Sequence, residues 1–79
     1  MIVHFYTRPN CGLCEEARLM LELVQEDAHF DIEERNIDTS DEWTEKYGLM
    51  IPVIAVDDEI VQAGQIDYVT ISKRFQKNT

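Results

Sequence analysis

Seventy-nine residues with sixteen acids against seven bases, a formal charge of −9, make one small acidic unit, taken as a single domain over 1–79. That charge repels nucleic acid and anionic membrane surfaces, so neither is expected as a partner. Two cysteines only three positions apart cannot staple distant segments, which excludes a secreted disulfide framework, and the apolar run after Met1 is too short for a signal peptide or a membrane span.

A cytoplasmic monomer is therefore expected, with elements that can be read in order. Ile2-Val3-His4-Phe5-Tyr6 is apolar at nearly every position, as in a central strand covered on both faces. Thr7-Arg8-Pro9-Asn10 reads as a loop, because Pro9 restricts Arg8 to extended conformations. Leu13, Ala17, Met20, Leu21 and Val24 repeat with the period of one helix face, predicting a helix from about Cys11 to Glu26. Glu15, Arg18, Glu22 and Glu26 fall on its solvated side, with Arg18 and Glu22 as an i, i+4 pair.

Phe30 to Ile37 begins with clean alternation and then becomes too polar for a central position, so it is read as an edge strand. Thr39-Ser40-Asp41-Glu42 fits a capping box with Thr39 as N-cap, and Gly48 fits the far end of the short helix beyond it. Trp43 and Tyr47 lie on one side of that helix and are expected to pack it onto the sheet. Met50 to Val56 reads as a third strand with Pro52 near its start, where a missing N–H does least damage. Asp57-Asp58 turns the chain into a fourth strand, Glu59 to Ala63, which Gly64 ends. A last helix runs from Asp67 to about Gln76, with Tyr68, Ile71 and Phe75 facing inward and Lys73, Arg74 and Lys77 near its C-terminal end.

The order is β-α-β-α-β-β-α, an α/β arrangement. A right-handed crossover sets the second strand parallel beside the first, and the closing hairpin must take the other side. The predicted four-stranded mixed sheet has the order 2-1-3-4, with the first and third helices on one face and the second on the other.

The chemistry centres on Cys11-Gly12-Leu13-Cys14, where a strand hands over to a helix. Cysteines one helical turn apart lie about 5 to 6 Å apart at Cα, a separation that a disulfide tolerates. Unpaired N–H groups and the positive end of the helix dipole face the first of them and favour its thiolate. Cys11 is the expected nucleophile and Cys14 the resolving thiol. Arg8 stands beside the motif in a chain poor in cations, and is a candidate to lower the pKa of Cys11 further or to touch substrate.

Thr-Arg-Pro-Asn-Cys-Gly-Leu-Cys after the first strand, Ile51-Pro52-Val53 opening the third, and Ala63-Gly64-Gln65-Ile66-Asp67 before the last helix together resemble the glutaredoxins of the thioredoxin fold. The resemblance spans essentially the whole chain and is nearest to the bacterial glutaredoxin-like proteins. It implies a thiol–disulfide oxidoreductase with a cis Ile51-Pro52 bond beside Cys11, where the Ile51 backbone pairs with an extended substrate. It also implies that Gly64 to Asp67 correspond to the part that holds the γ-glutamyl end of glutathione. Gly12-Leu13 stand where the family usually has proline and tyrosine, and Ala63 and Ile66 replace a glycine and a small polar residue.

The same resemblance implies a protein with no tightly bound cofactor and with glutathione as a co-substrate. Its partners would be a disulfide-containing protein or a glutathione mixed disulfide, together with glutathione or thioredoxin reductase as the reductant. Two alternatives stand beside it: a thioredoxin-fold binding module without turnover, and a cluster-bridging dimer. No resident metal is expected, since beyond the cysteines the candidate ligands are only His4, read as a packed strand histidine, and His29, read as a surface loop residue.

Overall fold

Val3 and Phe5 of the first strand are buried on one face and Tyr6 on the other, and the sheet grows outward from this strand. In the computed structural model, which describes residues 1–75, β1 (Ile2–Thr7) pairs in parallel with β2 (Asp31–Asn36) and antiparallel with β3 (Val53–Val56). β4 (Glu59–Ala63) returns antiparallel on β3, so the order is β2-β1-β3-β4. Three helices flank this sheet: α1 (Gly12–Ala28), α2 (Asp41–Tyr47) and α3 (Tyr68–Phe75). Architecture and strand order are those expected from the sequence; Gln76 and Lys77 lie outside the described residues.

Strand alternation divides the interior into two layers. Val3, Phe5 and Ile54 face α1 and α3, which add Leu21, Ile71 and Phe75 to one cluster, with the Phe30 and Phe75 rings 5.0 Å apart. Tyr6, Val53 and Ala55 face the other way and meet Ile37 and Tyr47 beneath α2. Tyr6 lies 4.2 Å from the Tyr47 ring and 5.7 Å, edge-on, from Trp43, so the two α2 aromatics pack the helix down as expected. Arg35 on β2 covers this group, its guanidinium 5.0 Å from the Trp43 ring and its Nη1 donating to the Tyr6 hydroxyl at 2.9 Å. Burial outweighs that bond and holds the Tyr6 phenol above its ordinary value.

Several local expectations change. The buried stripe of α1 is Cys14, Ala17, Leu21 and Val24, and Leu13 is left 45% exposed. Cys14 takes the inward position because it stands three residues before Ala17 and seven before Leu21, on the same face, while the helix itself starts at Gly12 with Cys11 as N-cap. At its other end α1 continues to Ala28 and stops at His29, an exposed residue in the left-handed region (φ 52°). Arg18 pairs with Glu15 at 2.8 Å and with Glu34 of β2 rather than with Glu22, because β2 passes under this face of the helix.

Residues Ile37–Thr39 form a 3₁₀ turn that uses Thr39 to bond the Asn36 carbonyl. Ser40 therefore caps α2, its Oγ accepting from the Trp43 N–H at 3.2 Å. Gly48 ends α2 in right-handed geometry (φ −57°), and a Cβ there would press on the Thr44 carbonyl. In α3 Tyr68 is exposed, and Ile66, just before the helix, fills the inward place instead. β3 begins at Val53, after Pro52, and the Asp57-Asp58 turn has both residues at positive φ (52° and 65°), the geometry of a tight hairpin. His4 is packed on β1 with its Nδ1 buried and unpartnered, while Nε2 lies 3.9 Å from a Glu33 oxygen.

Candidate functional site

The loop between β1 and α1 makes its reversal at Asn10, which sits in the left-handed region (φ 61°), and delivers Cys11 in extended geometry to the helix start. The backbone N–H of Cys14 donates to the Cys11 sulfur at 3.1 Å, and the N–H of Glu15 donates to the Cys11 carbonyl at 3.2 Å. A sulfur acting as N-cap accepts what a serine or aspartate oxygen would accept elsewhere, and as a thiolate it accepts it better. The Cα atoms of Cys11 and Cys14 are 5.2 Å apart and the two sulfurs are at disulfide distance. Cys11 is partly exposed and Cys14 is 1% exposed, so only the first can meet an incoming molecule.

The second wall of the site is the approach to β3. The Ile51-Pro52 bond is cis. Register pairs Val53 with Tyr6 on one side and with Ala63 on the other, so Pro52 lies at the end of the sheet where Thr7 leads out toward Cys11. The Gly64 N–H lies 2.9 Å from both the Met50 and the Pro52 carbonyl oxygens, tying the end of β4 to the same turn. Gly64 does this at φ 78°, where a side chain would be strained.

Asp67 stands at the start of α3. Its Oδ2 accepts from the Thr70 N–H at 2.9 Å and from the Thr70 hydroxyl at 2.8 Å, which holds its carboxyl below the usual range, and its own N–H donates to Gln62 Oε1 at 2.8 Å. Topology thus brings Cys11, Cys14, Ile51, Pro52 and Gly64 to one end of the sheet, with Asp67 three residues beyond Gly64. Arg8, on the loop before Cys11 and among the residues lining a cleft beside it, donates its Nε to Asp38 at 2.9 Å, a carboxylate that partly balances its charge.

Beneath the loop lies a cluster that the sequence pattern did not single out. Thr7, 4% exposed, donates its hydroxyl to Glu34 Oε2 at 3.2 Å, and Arg18 from α1 grips the same carboxylate with Nε and Nη2. These bonds hold the Glu34 carboxyl below its usual range despite partial burial. They join the end of β1, β2 and the first turns of α1, and with Pro9 and Asn36 they line a cleft of about 140 Å³ next to the motif. The signal was present: Ile32 packs into the α1 layer, so Glu34, two positions on, faces α1 and needs a partner there.

Among the described residues no group of three or more His, Cys, Asp or Glu could hold a metal ion, and no helix is long and apolar enough to cross a membrane.

Comparison with known proteins agrees with this geometry. A family model described as "Glutaredoxin-like domain (DUF836)" matches residues 2–76. A Dictyostelium discoideum protein, "Glutaredoxin-like protein YDR286C homolog", is 34% identical over 71 residues, covering 82% of this chain and 66% of that protein, so the chain spans just under two thirds of that relative's length. Among solved structures, protein Ne2328 from Nitrosomonas europaea is similar with a TM-score of 0.79 and 28% identity over 94% of this chain and 89% of that one. A thioredoxin mutant from Halobacterium salinarum matches with a TM-score of 0.68 and 19% identity, over 94% and 70% of the two chains, and shares the fold. Thioredoxin 1 from Thermosipho africanus does the same at a TM-score of 0.61 and 11% identity, over 94% and 93%.

Proposed function

The chain belongs to the glutaredoxin-like (DUF836) family, and from that premise we propose that it is a thiol–disulfide oxidoreductase in which Cys11 attacks and Cys14 resolves. The observation that carries this reading is the N-cap sulfur: Cys11 accepts the Cys14 N–H while the Cys14 sulfur lies buried at disulfide distance behind it. In the reduced protein the Cys11 thiolate attacks one sulfur of a substrate disulfide, a mixed disulfide forms, and the other substrate sulfur leaves as a thiol. Cys14 then attacks the Cys11 sulfur, closes the internal disulfide and releases the second substrate thiol. Two electrons have passed to the substrate. Closure needs no unfolding, because the two residues already sit one helical turn apart.

Ile51 and Pro52 supply the docking edge for an extended substrate, by short β-addition at the Ile51 backbone. Gly64 and Asp67 are the residues that would meet the amino-acid end of a glutathione substrate. No tightly bound cofactor takes part; the internal disulfide is reopened by glutathione or by thioredoxin reductase. The partners in this reading are a protein disulfide or a glutathione mixed disulfide, met by a monomer in a reducing, cytoplasmic setting.

The test is a cycling measurement. Equilibrating the protein with ratios of oxidised and reduced dithiothreitol, and separately of oxidised and reduced glutathione, and counting free thiols by alkylation should show both cysteines titrating together as a two-electron couple against at least one of them. A pair that exchanges with neither couple, staying as it was prepared from both the reduced and the oxidised side, sinks the enzyme reading and favours the binding module. Cys14→Ser should in addition accumulate mixed disulfides with substrate through Cys11.

A further inference from the structure

The segments that carry Cys11, Cys14 and the Ile51-Pro52 turn expose apolar and anionic side chains, and this bears on what the site accepts. Leu13, between the cysteines, is 45% exposed, and Leu49, just before the Met50-Ile51-Pro52 turn, is fully exposed. Neither is needed for packing, so two large apolar side chains stand in water on the segments that carry the site. The charges on those same segments are unbalanced. The Arg8 guanidinium is spent on Asp38, and Arg18 is shared between Glu15 and Glu34. Glu16 and Asp67 are exposed without a cationic partner among the described residues. Two of the backbone donors at the start of α3 are engaged as well, Asp67 N–H by Gln62 and Thr70 N–H by Asp67.

Resting on the oxidoreductase reading above, we propose that the favoured substrate is a protein disulfide whose cysteine is flanked by apolar and basic residues, and that glutathione disulfide, itself an anion, is a poor one. The apolar flank covers Leu13 and Leu49, the basic flank answers the excess of carboxylates, and the extended backbone runs along Ile51. Each turnover breaks the substrate S–S bond, forms the Cys11–Cys14 disulfide, moves two electrons to the substrate and leaves two substrate thiols, the protons coming from the protein thiols or from solvent.

The experiment is a single turnover of protein reduced with dithiothreitol and freed from it. Four probes are compared: uncharged 2,2′-dithiodipyridine, glutathione disulfide, a short peptide disulfide with Leu and Lys beside each cysteine, and its counterpart with Glu and Ser. The Leu/Lys peptide should react about tenfold or more faster than glutathione disulfide and than the Glu/Ser peptide at low salt. About 1 M NaCl should narrow that gap. Leu49→Ser, at a position that carries no packing, should lower the Leu/Lys rate several-fold relative to the dithiodipyridine rate of the same variant. Glutathione disulfide or the Glu/Ser peptide matching the Leu/Lys peptide overturns the inference while leaving the redox reading standing. An unchanged ratio in Leu49→Ser removes the apolar contact from it. No reaction with any probe, dithiodipyridine included, refutes the redox reading and the inference with it.

Discussion

If the helix start activates Cys11, its acidity should be independent of Arg8. The perturbation is Cys14→Ser, which leaves the residue 14 N–H in place and makes Cys11 the only thiol, examined with and without Arg8→Ala. A hydrogen bond to an ionised group contributes about 1.5–3 kcal/mol against about 0.5–1.5 for a neutral one, so the Cys14 N–H at 3.1 Å favours the thiolate by about 1 kcal/mol or somewhat more. The helix dipole adds about 0.3–1 kcal/mol. At about 1.4 kcal/mol per pH unit, the midpoint of Cys11 alkylation should fall about 1 to 1.5 pH units below the ordinary thiol value of about 8.5. Arg8 is bound to Asp38 and both side chains are well solvated, so removing it should move the midpoint by no more than about 0.3 unit. The assay is the pH dependence of iodoacetamide alkylation read by mass spectrometry. A Cys14→Ser midpoint at or above about 8.5 refutes the N-cap argument, and a rise of a full unit on Arg8→Ala would hand the activation to the guanidinium instead.

Glu34→Gln should destabilise the protein by about 0.5–1 kcal/mol at pH 7, a modest figure because Arg18 and Glu34 are both partly solvated. Since Arg18 holds the Glu34 carboxyl below its usual range, that contribution is complete above the unfolded carboxylate's value of about 4.3 and is lost as the pH falls through the lower folded one. Urea unfolding of the two proteins should therefore differ at pH 7 and converge toward pH 2, and a gap that widens on acidification contradicts the assignment. Ser40→Ala should cost about 1 kcal/mol in the same assay, whereas Thr39→Ala should stay within about 0.5, because Ser40 is the residue that caps α2. Equal effects would return the cap to Thr39. Phe75→Ala removes a fully buried ring packed at a tilt against Phe30 and should cost about 3–5 kcal/mol, a large part of the roughly 4–12 kcal/mol expected for a domain of this size, so thermal melting by circular dichroism should show it near or past unfolding at 37 °C.

The strand order could be read from the chain because each element carries its own period and the crossover rule leaves few ways to join them. Ile2 to Tyr6, apolar but for His4, and Val53 to Val56, apolar throughout, end up central; the charged Asp31–Asn36 ends up at an edge. Local readings failed where two templates overlapped. Leu13 and Cys14 both fit the spacing of the apolar stripe of α1, and treating the cysteine as chemistry alone hid that it is also core. Thr39 and Ser40 are adjacent hydroxyls that can each cap a helix, and only the 3₁₀ turn decides between them. The ion pairs were invisible for another reason. Arg8 with Asp38 and Arg18 with Glu34 join residues 30 and 16 positions apart, brought together by the parallel pairing of β1 and β2 and not by any local pattern.

The two halves of the site rest on very different supports. Cys11 caps a helix of seventeen residues whose inner face is locked between the sheet and α3, while the approach to Pro52 is led by a seven-residue helix packed through Trp43 and Tyr47 and is tied to the sheet at Gly64. In amide exchange the helix that Cys11 caps should therefore be among the last to give up its protons and the short α2 among the first. On the proposed oxidoreductase reading, a target would meet one wall that can yield beside an anvil that does not, leaving the electrostatics at Cys11 undisturbed.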